Sequence, residues 1–274
     1  MSVKLLAGRH TSLRENNRKS QPPVGRKSLE ADERSHAKNL AAQVRYFVAD
    51  YPDIIRLASE RVLFLNRIER LAALIVFWGA RMNLTAEPDN PGELAFHIID
   101  SVIPVISADS EEFLRHAFCA GSRVLDLGSG AGFPALVLAS ASRANFTLIE
   151  SRRKRSSFLA VAVAEMELKN VVLESRRVEQ NRPNSSRSGK NTRANEGHFD
   201  VVTARAFALP STFHSLAGSA LKPGGIGILY ANPGQNLALP DAEKNGLHEF
   251  LPVAYTVPRG DRLIERILGL WRRR

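Results

Sequence analysis

The chain has one cysteine, Cys119, in 274 residues. An internal disulfide is therefore excluded, and so is a Cys-x-x-Cys redox or zinc motif. Cys119 lies between Phe118 and Ala120, a setting that predicts a small buried hydrophobe rather than a nucleophile. Long apolar runs are also missing. The longest, Leu71 to Ala80, falls well short of the roughly 20 residues that span a bilayer. The opening MSVKLLAGRH has no signal-like apolar stretch, so no membrane association and a cytoplasmic location are expected. Acidic charge is scarce: 38 Lys and Arg stand against 28 Asp and Glu, a formal charge of +10. Such a balance points to a polyanionic partner, nucleic acid first. There are no internal repeats.

What is present suffices for a core, with 44% hydrophobic and 24% charged residues, and it excludes a wholly disordered chain. Residues 1–36 read as a disordered basic tail. Up to Ser28 they hold seven Lys or Arg and one acid, with sparse, aperiodic apolar residues. Residues 37–118 read as a helical cap. Leu63, Leu65, Ile68, Leu71, Leu74, Ile75 and Trp78 recur at helical spacing. Pro91 opens a further helix, where its missing N–H costs nothing.

Residues 119–274 change style. Short apolar runs alternate with helical stretches: strands at 124–127, 146–150, 171–173, 199–203 and 226–230, helices at 134–142, 152–167 and 211–221. That alternation predicts an α/β fold, a Rossmann-like, mostly parallel sheet with helices on both faces. Residues 253–257 and 262–268 are expected as antiparallel edge strands, and the polar stretch 181–197, with four basic residues and one acid, as a flexible basic insertion.

The most informative segment is Asp126-Leu127-Gly128-Ser129-Gly130-Ala131-Gly132-Phe133-Pro134. It follows a strand and opens a helix, where such sheets bind ligands. Gly128, Gly130 and Gly132 remove side chains from the path of a ligand. The spacing is GxGxG, not the dinucleotide GxGxxG, and GxxxxGK[ST] is absent. Asp126 would repel a pyrophosphate. It suits a ligand with a positive centre, and S-adenosylmethionine carries a sulfonium and an ammonium but no phosphate. Glu150 closes the second strand, 20 residues after Gly130, where a carboxylate can accept ribose hydroxyl protons. No metal-ligand cluster is found, so no metal is expected.

These blocks resemble the RsmG family, also called glucose-inhibited division protein B, whose members methylate N7 of a guanine in small-subunit (16S) ribosomal RNA. The resemblance runs from about Arg61 to Gly234. It rests on the glycine loop Asp126 to Pro134; on Glu150, Ser151, Lys154, Arg155, Phe158 and Leu159; on Arg177-Val178-Glu179; on Ala204-Arg205-Ala206; and upstream on Trp78, Asn83-Leu84-Thr85 and His97-Ile98-Ile99-Asp100-Ser101. One block departs: after Leu221-Lys222-Pro223-Gly224-Gly225 the strand continues Tyr230-Ala231-Asn232-Pro233-Gly234, with no lysine in the place of the family's Lys-Gly pair.

The resemblance implies an S-adenosylmethionine-dependent rRNA methyltransferase acting on the small ribosomal subunit, expected as a monomer. It places Gly128 and Phe133 in the cofactor pocket, Glu150 at the ribose, Val178 and Glu179 at the adenine, and Arg205 near the methionine end or the target base. Asn83, His97 and Asp100 become candidate RNA contacts, and Arg152, Arg153, Lys154 and Arg155 a candidate phosphate grip. The N7 lone pair can attack a sulfonium methyl directly and no proton leaves N7. No general base is demanded, and alignment with exclusion of water carries the rate. Two other readings stay open at this point: a methyltransferase of another acceptor, and an RNA-binding relative without catalysis.

Overall fold

The computed structural model describes residues 26–108, 114, 116–177, 197–207, 209–237, 239–249 and 252–274. Residues 1–25 of the expected tail and 178–196, which hold Val178, Glu179 and nearly all of the expected insertion, lie outside the described residues.

Three helices and a 3-10 segment come first: α1 (Arg26–Asp50), the 3-10 helix Pro52–Glu60, α2 (Arg61–Met82) and α3 (Pro91–Ile106). The helix α1 corrects the expectation of a tail running to residue 36. Residues 30–36, near its start, are exposed and mostly polar, which is why composition reads them as tail. They are held from outside: Glu33 pairs with Arg81 at 2.6 Å, and the Arg34 guanidinium lies 4.6 Å from the Phe77 ring centre. Further along, Ala37, Ala41, Val44 and Val48 form a buried stripe at three- and four-residue spacing. At the start of α3 the Asn90 side chain accepts from the Glu93 N–H at 3.1 Å, and Pro91 occupies the first turn.

The sheet follows with β1 (Arg123–Leu127), α4 (Ala135–Ala141), β2 (Asn145–Ile149), α5 (Arg153–Glu165), β3 (Val171–Glu174), β4 (Phe199–Arg205), α6 (Pro210–Ala220), β5 (Leu221–Ala231), α7 (Leu239–Lys244), β6 (Leu247–Glu249), β7 (Val253–Arg259) and β8 (Arg262–Arg273). Strand order is β3-β2-β1-β4-β5-β8-β6, with β7 also on β8. The first five strands are parallel. The alternating reading of the sheet region therefore holds. Residues 262–268, expected at an edge, instead begin the long β8, which pairs antiparallel with β5, β6 and β7 and lies inside the sheet. Its apolar stretch Leu268–Trp271 is buried on both faces.

One buried cluster joins α1–α3, α4, α5 and one face of the sheet, so the helical segment and the sheet share a core. A second cluster lies on the other face, where α6 and α7 pack Phe213, Leu216 and Ala242 against Val202, Leu229 and Trp271. Cys119, expected buried, is exposed: it sits in the turn before β1, and Ala117 and Phe118 take the buried places. The order of the sheet reverses at β1 and β4, which puts the ligand crevice beyond their carboxyl ends.

Candidate active site

The turn after β1 doubles back over the end of β2. The N–H groups of Gly128 and Ser129 both donate to the Ile149 carbonyl, at 2.9 and 3.2 Å. The Gly130 N–H donates to Glu150 Oε2 at 3.0 Å, and Glu150 Oε1 accepts from the Arg152 N–H at 2.7 Å. Glu150 is thus fixed by two backbone donors at the mouth of the second strand, with lone pairs to spare on each oxygen. Gly128 has φ 73°, and a Cβ there would strike the Phe207 ring; Gly132, at φ 93°, would strike Leu136. Only glycine fits these two positions.

Asp126 lies beneath this loop, fully buried. The Thr203 hydroxyl donates to its Oδ1 at 2.6 Å, across a β1–β4 register that sets the two residues side by side. Among the described residues neither Oδ2 nor the Ser129 hydroxyl has a partner in full hydrogen-bonding geometry, although Ser129 lies near enough to act on the carboxyl. Burial pushes the Asp126 carboxyl up to about 6, with Ser129 and Thr203 pulling the other way and the Glu150 charge adding to the rise. A buried carboxylate with no cation beside it among the described residues is able to take up a positive group.

A cavity of about 550 Å³ opens at this edge, lined by Gly128, Ile149, Glu150, Arg152, Arg155, Arg176, Arg177 and Phe207 among others. That volume is in the range of small-molecule sites. Four arginines surround its carboxylate and glycine floor. Arg155 also donates to the Asn83 carbonyl at 3.3 Å, where Asn83 ends α2 in a left-handed conformation, φ 50°. Asn83 therefore has a helix-capping role in this structure, and through Arg155 it joins the end of α2 to the start of α5. Arg153 and Lys154 are exposed on the first turn of α5, beside the cavity-lining Arg152 and Arg155.

The remaining expected residues form a second cluster, on the side facing α3. Asp100 is fully buried and carries Arg205 at 2.9 Å, Arg266 at 3.0 Å and the Tyr255 hydroxyl at 2.6 Å. The Arg205 Nη2 meets His97 Nδ1 at 2.7 Å, and its guanidinium lies 5.8 Å from the Phe133 ring centre. Phe133 is buried against His97, ring centres 5.3 Å apart. Glu93 takes Arg259 and lies 3.4 Å from His97 Nε2. Burial, with Arg205, Arg259 and Arg266 around it, brings His97 down to about 3, so the ring is neutral at physiological pH. Three guanidinium groups then face two carboxylates. Arg205, expected at the cofactor or the base, spends its donors on Asp100 and His97.

Sequence reasoning did not find Thr203, Phe207, Arg176, Tyr255 or Arg266. Phe207 and Arg176 each stand next to a block on which the family resemblance rests, and that adjacency is a local signal. The others depend on strand order or on pairings 77 to 166 residues apart, for which a single sequence carries no mark.

A family model described as GidB, rRNA small subunit methyltransferase G, matches residues 65–243. The ribosomal RNA small subunit methyltransferase G of Acidiphilium cryptum (strain JF-5) is 38% identical over 198 residues, 68% of this chain and 80% of that protein. The protein of the same name from Burkholderia thailandensis is 37% identical over 156 residues, 56% of this chain and 60% of that one. The one from Geobacillus kaustophilus (strain HTA426) is 36% identical over 173 residues, 63% and 65% of the two chains. The match thus takes in four fifths of the first relative and less than two thirds of the other two.

Proposed function

The chain belongs to the rRNA small subunit methyltransferase G family, and from that premise we propose that it moves the methyl group of S-adenosylmethionine to N7 of a guanine in 16S ribosomal RNA. The observation that carries this reading is the cleft at the β1–β4 reversal: Gly128 and Glu150 in its lining with four arginines, and Asp126 buried beneath the glycine loop.

The residues present fit S-adenosylmethionine. Asp126 Oδ2, buried and unpartnered, awaits a cation, and Glu150 keeps acceptor capacity for ribose hydroxyls. A side chain at 128 would be excluded by Phe207, whose ring packs directly against the backbone there and lines the cavity. Bound S-adenosylmethionine supplies an electrophilic methyl group. The chain's part is to bind, orient and dry the site. Asp126 would face the donor's cationic part and Glu150 its ribose hydroxyls, while Phe207 provides an apolar wall. Arg152, Arg155, Arg176 and Arg177 attract phosphates of the RNA strand, displacing counterions. The target N7 offers a lone pair and gives up no proton, so no side chain has to act as a base. Rate then comes from in-line placement and water exclusion. Val178 and Glu179, proposed beside the adenine, follow Arg177 directly in sequence. A ribosomal substrate implies work in the cytoplasm. Among the described residues no helix is long and apolar enough to cross a membrane.

The test is methyl transfer from labelled S-adenosylmethionine to small ribosomal subunits purified from a strain in which this chain is deleted. Digestion to nucleosides is expected to give 7-methylguanosine. Label in another base, in protein, or nowhere would refute the proposal.

A further inference from the structure

Beyond the cleft, one buried arginine reaches the sheet's carboxyl edge from an unexpected strand. Arg266 sits on β8, 8% exposed. Its Nε donates to Asp100 Oδ1 at 3.0 Å, and its Nη1 donates to the side-chain oxygen of Asn232. Asn232 follows β5 directly, two residues beyond Tyr230, which pairs with Arg205 on β4. It is exposed. Its backbone is pinned as well: its N–H donates to Gln235 Oε1 at 3.3 Å, and its carbonyl accepts from the Gln235 N–H at 3.2 Å.

A guanidinium has only donors, so the amide atom that meets it must be the oxygen. The Asn232 amino group then faces away from Arg266. The glycine loop and Glu150 occupy the β1–β2 side of the edge, which leaves the β4–β5 side to the acceptor. A free asparagine amide can pair with adenine, giving and taking one hydrogen bond at N7 and the 6-amino group. With its oxygen captured, the amide can only donate. Guanine shows two acceptors on that edge, O6 and N7, and N7 has to stay bare to receive the methyl. O6 is therefore the one partner left for a donor. Adenine would offer its own amino group there, donor against donor.

We propose that Asn232 reads the target base by donating to guanine O6, and that Arg266 is the positioning residue that holds the amide in that orientation. This rests on the guanine-methylating reading above.

The test uses the full chain, small subunits from the deletion strain and labelled S-adenosylmethionine. Asn232→Asp keeps the oxygen for Arg266 and removes the donor; Asn232→Ala removes both without adding charge. Each is expected to lower kcat/KM for the subunit about tenfold, the scale of one hydrogen bond, with calorimetric affinity for S-adenosylmethionine and melting temperature unchanged. Arg266→Gln is expected to lower it severalfold in the wild type and not at all on top of Asn232→Ala, because it acts through Asn232. Unchanged kcat/KM in the Asn232 variants overturns the proposal, as does a loss matched by weaker donor binding or by a lower melting temperature. A full additional loss from Arg266→Gln in the Asn232→Ala background overturns its positioning role. No transfer by the wild type would refute the parent reading itself, a result distinct from normal transfer by every variant.

Discussion

Asp126 and Asp100 are both aspartates with no solvent exposure, and they end up in opposite states. Asp100, on α3, is charge-paired: two guanidinium groups and a tyrosine hydroxyl lie against it. Asp126, at the end of β1, has one hydroxyl and an open oxygen, and burial has pushed it up to about 6. The first joins α3 to β4, β7 and β8 and spends its charge on the fold. The second keeps its charge unspent. The proposed role of Asp126 toward the cofactor's cation rests on that difference.

That contrast predicts where substitutions act. The largest effect is expected at Asp100. Asp100→Asn leaves Arg205 and Arg266 buried without their counter-charge, and breaking such pairs costs about 3–5 kcal/mol. Urea unfolding should register that loss; a variant as stable as the wild type would dissolve the distinction between the two aspartates. Next is Gly128→Ala, which forces a side chain into a left-handed backbone and against Phe207. A loss of about 1–3 kcal/mol in stability is expected, and a partial recovery in the Gly128→Ala/Phe207→Ala double variant. If the double variant is no better than the single, backbone strain alone is at work.

The sequence made the β1–β2 half of this comparison legible. Glycines, a carboxylate before them and a carboxylate at the next strand's end are local features, and Asp126, Gly128, Gly130 and Glu150 do meet at one edge. The other half was not legible as architecture. His97, Asp100 and Arg205 stand out as residues, yet their partners Tyr255, Arg259 and Arg266 come from strands 155 to 166 residues away from Glu93 and Asp100. Nothing local in β8 announces that it enters the sheet beside β5 rather than closing an edge. The start of α1 was hidden for the opposite reason. Its polar opening turns gain order from Arg81 and Phe77 of α2, not from their own composition.

Smaller effects sharpen the comparison. His97 is held neutral, its pKa near 3 folded against about 6.5 unfolded. Between those values the unfolded chain binds the extra proton, so stability falls as pH drops from about 6.5 toward 3. Asp126 works the other way: the folded state holds its proton longer, so its contribution to stability shrinks as pH rises from about 4 to 6. His97→Phe should flatten the acid side of a stability–pH curve measured by urea midpoints, and an unchanged curve would mean the ring is not buried neutral. Mildest of all, Arg152→Ala and Arg155→Ala should each reduce the slope of log affinity for ribosomal RNA against log salt by about 1. A slope identical to the wild type's would remove that arginine from the phosphate contacts.

The central claim is that Asp126 is an unspent charge kept for the cofactor's cation. Calorimetric titration of S-adenosylmethionine at pH 7.5 and pH 5, into the wild type and Asp126→Asn, tests it most directly. The wild type is expected to bind about tenfold more weakly at pH 5, where the carboxyl, with its pKa near 6, is mostly protonated. Asp126→Asn is expected to bind with the weak affinity at both pH values. Equal affinity at the two pH values in the wild type, or tight binding by Asp126→Asn, would contradict the claim.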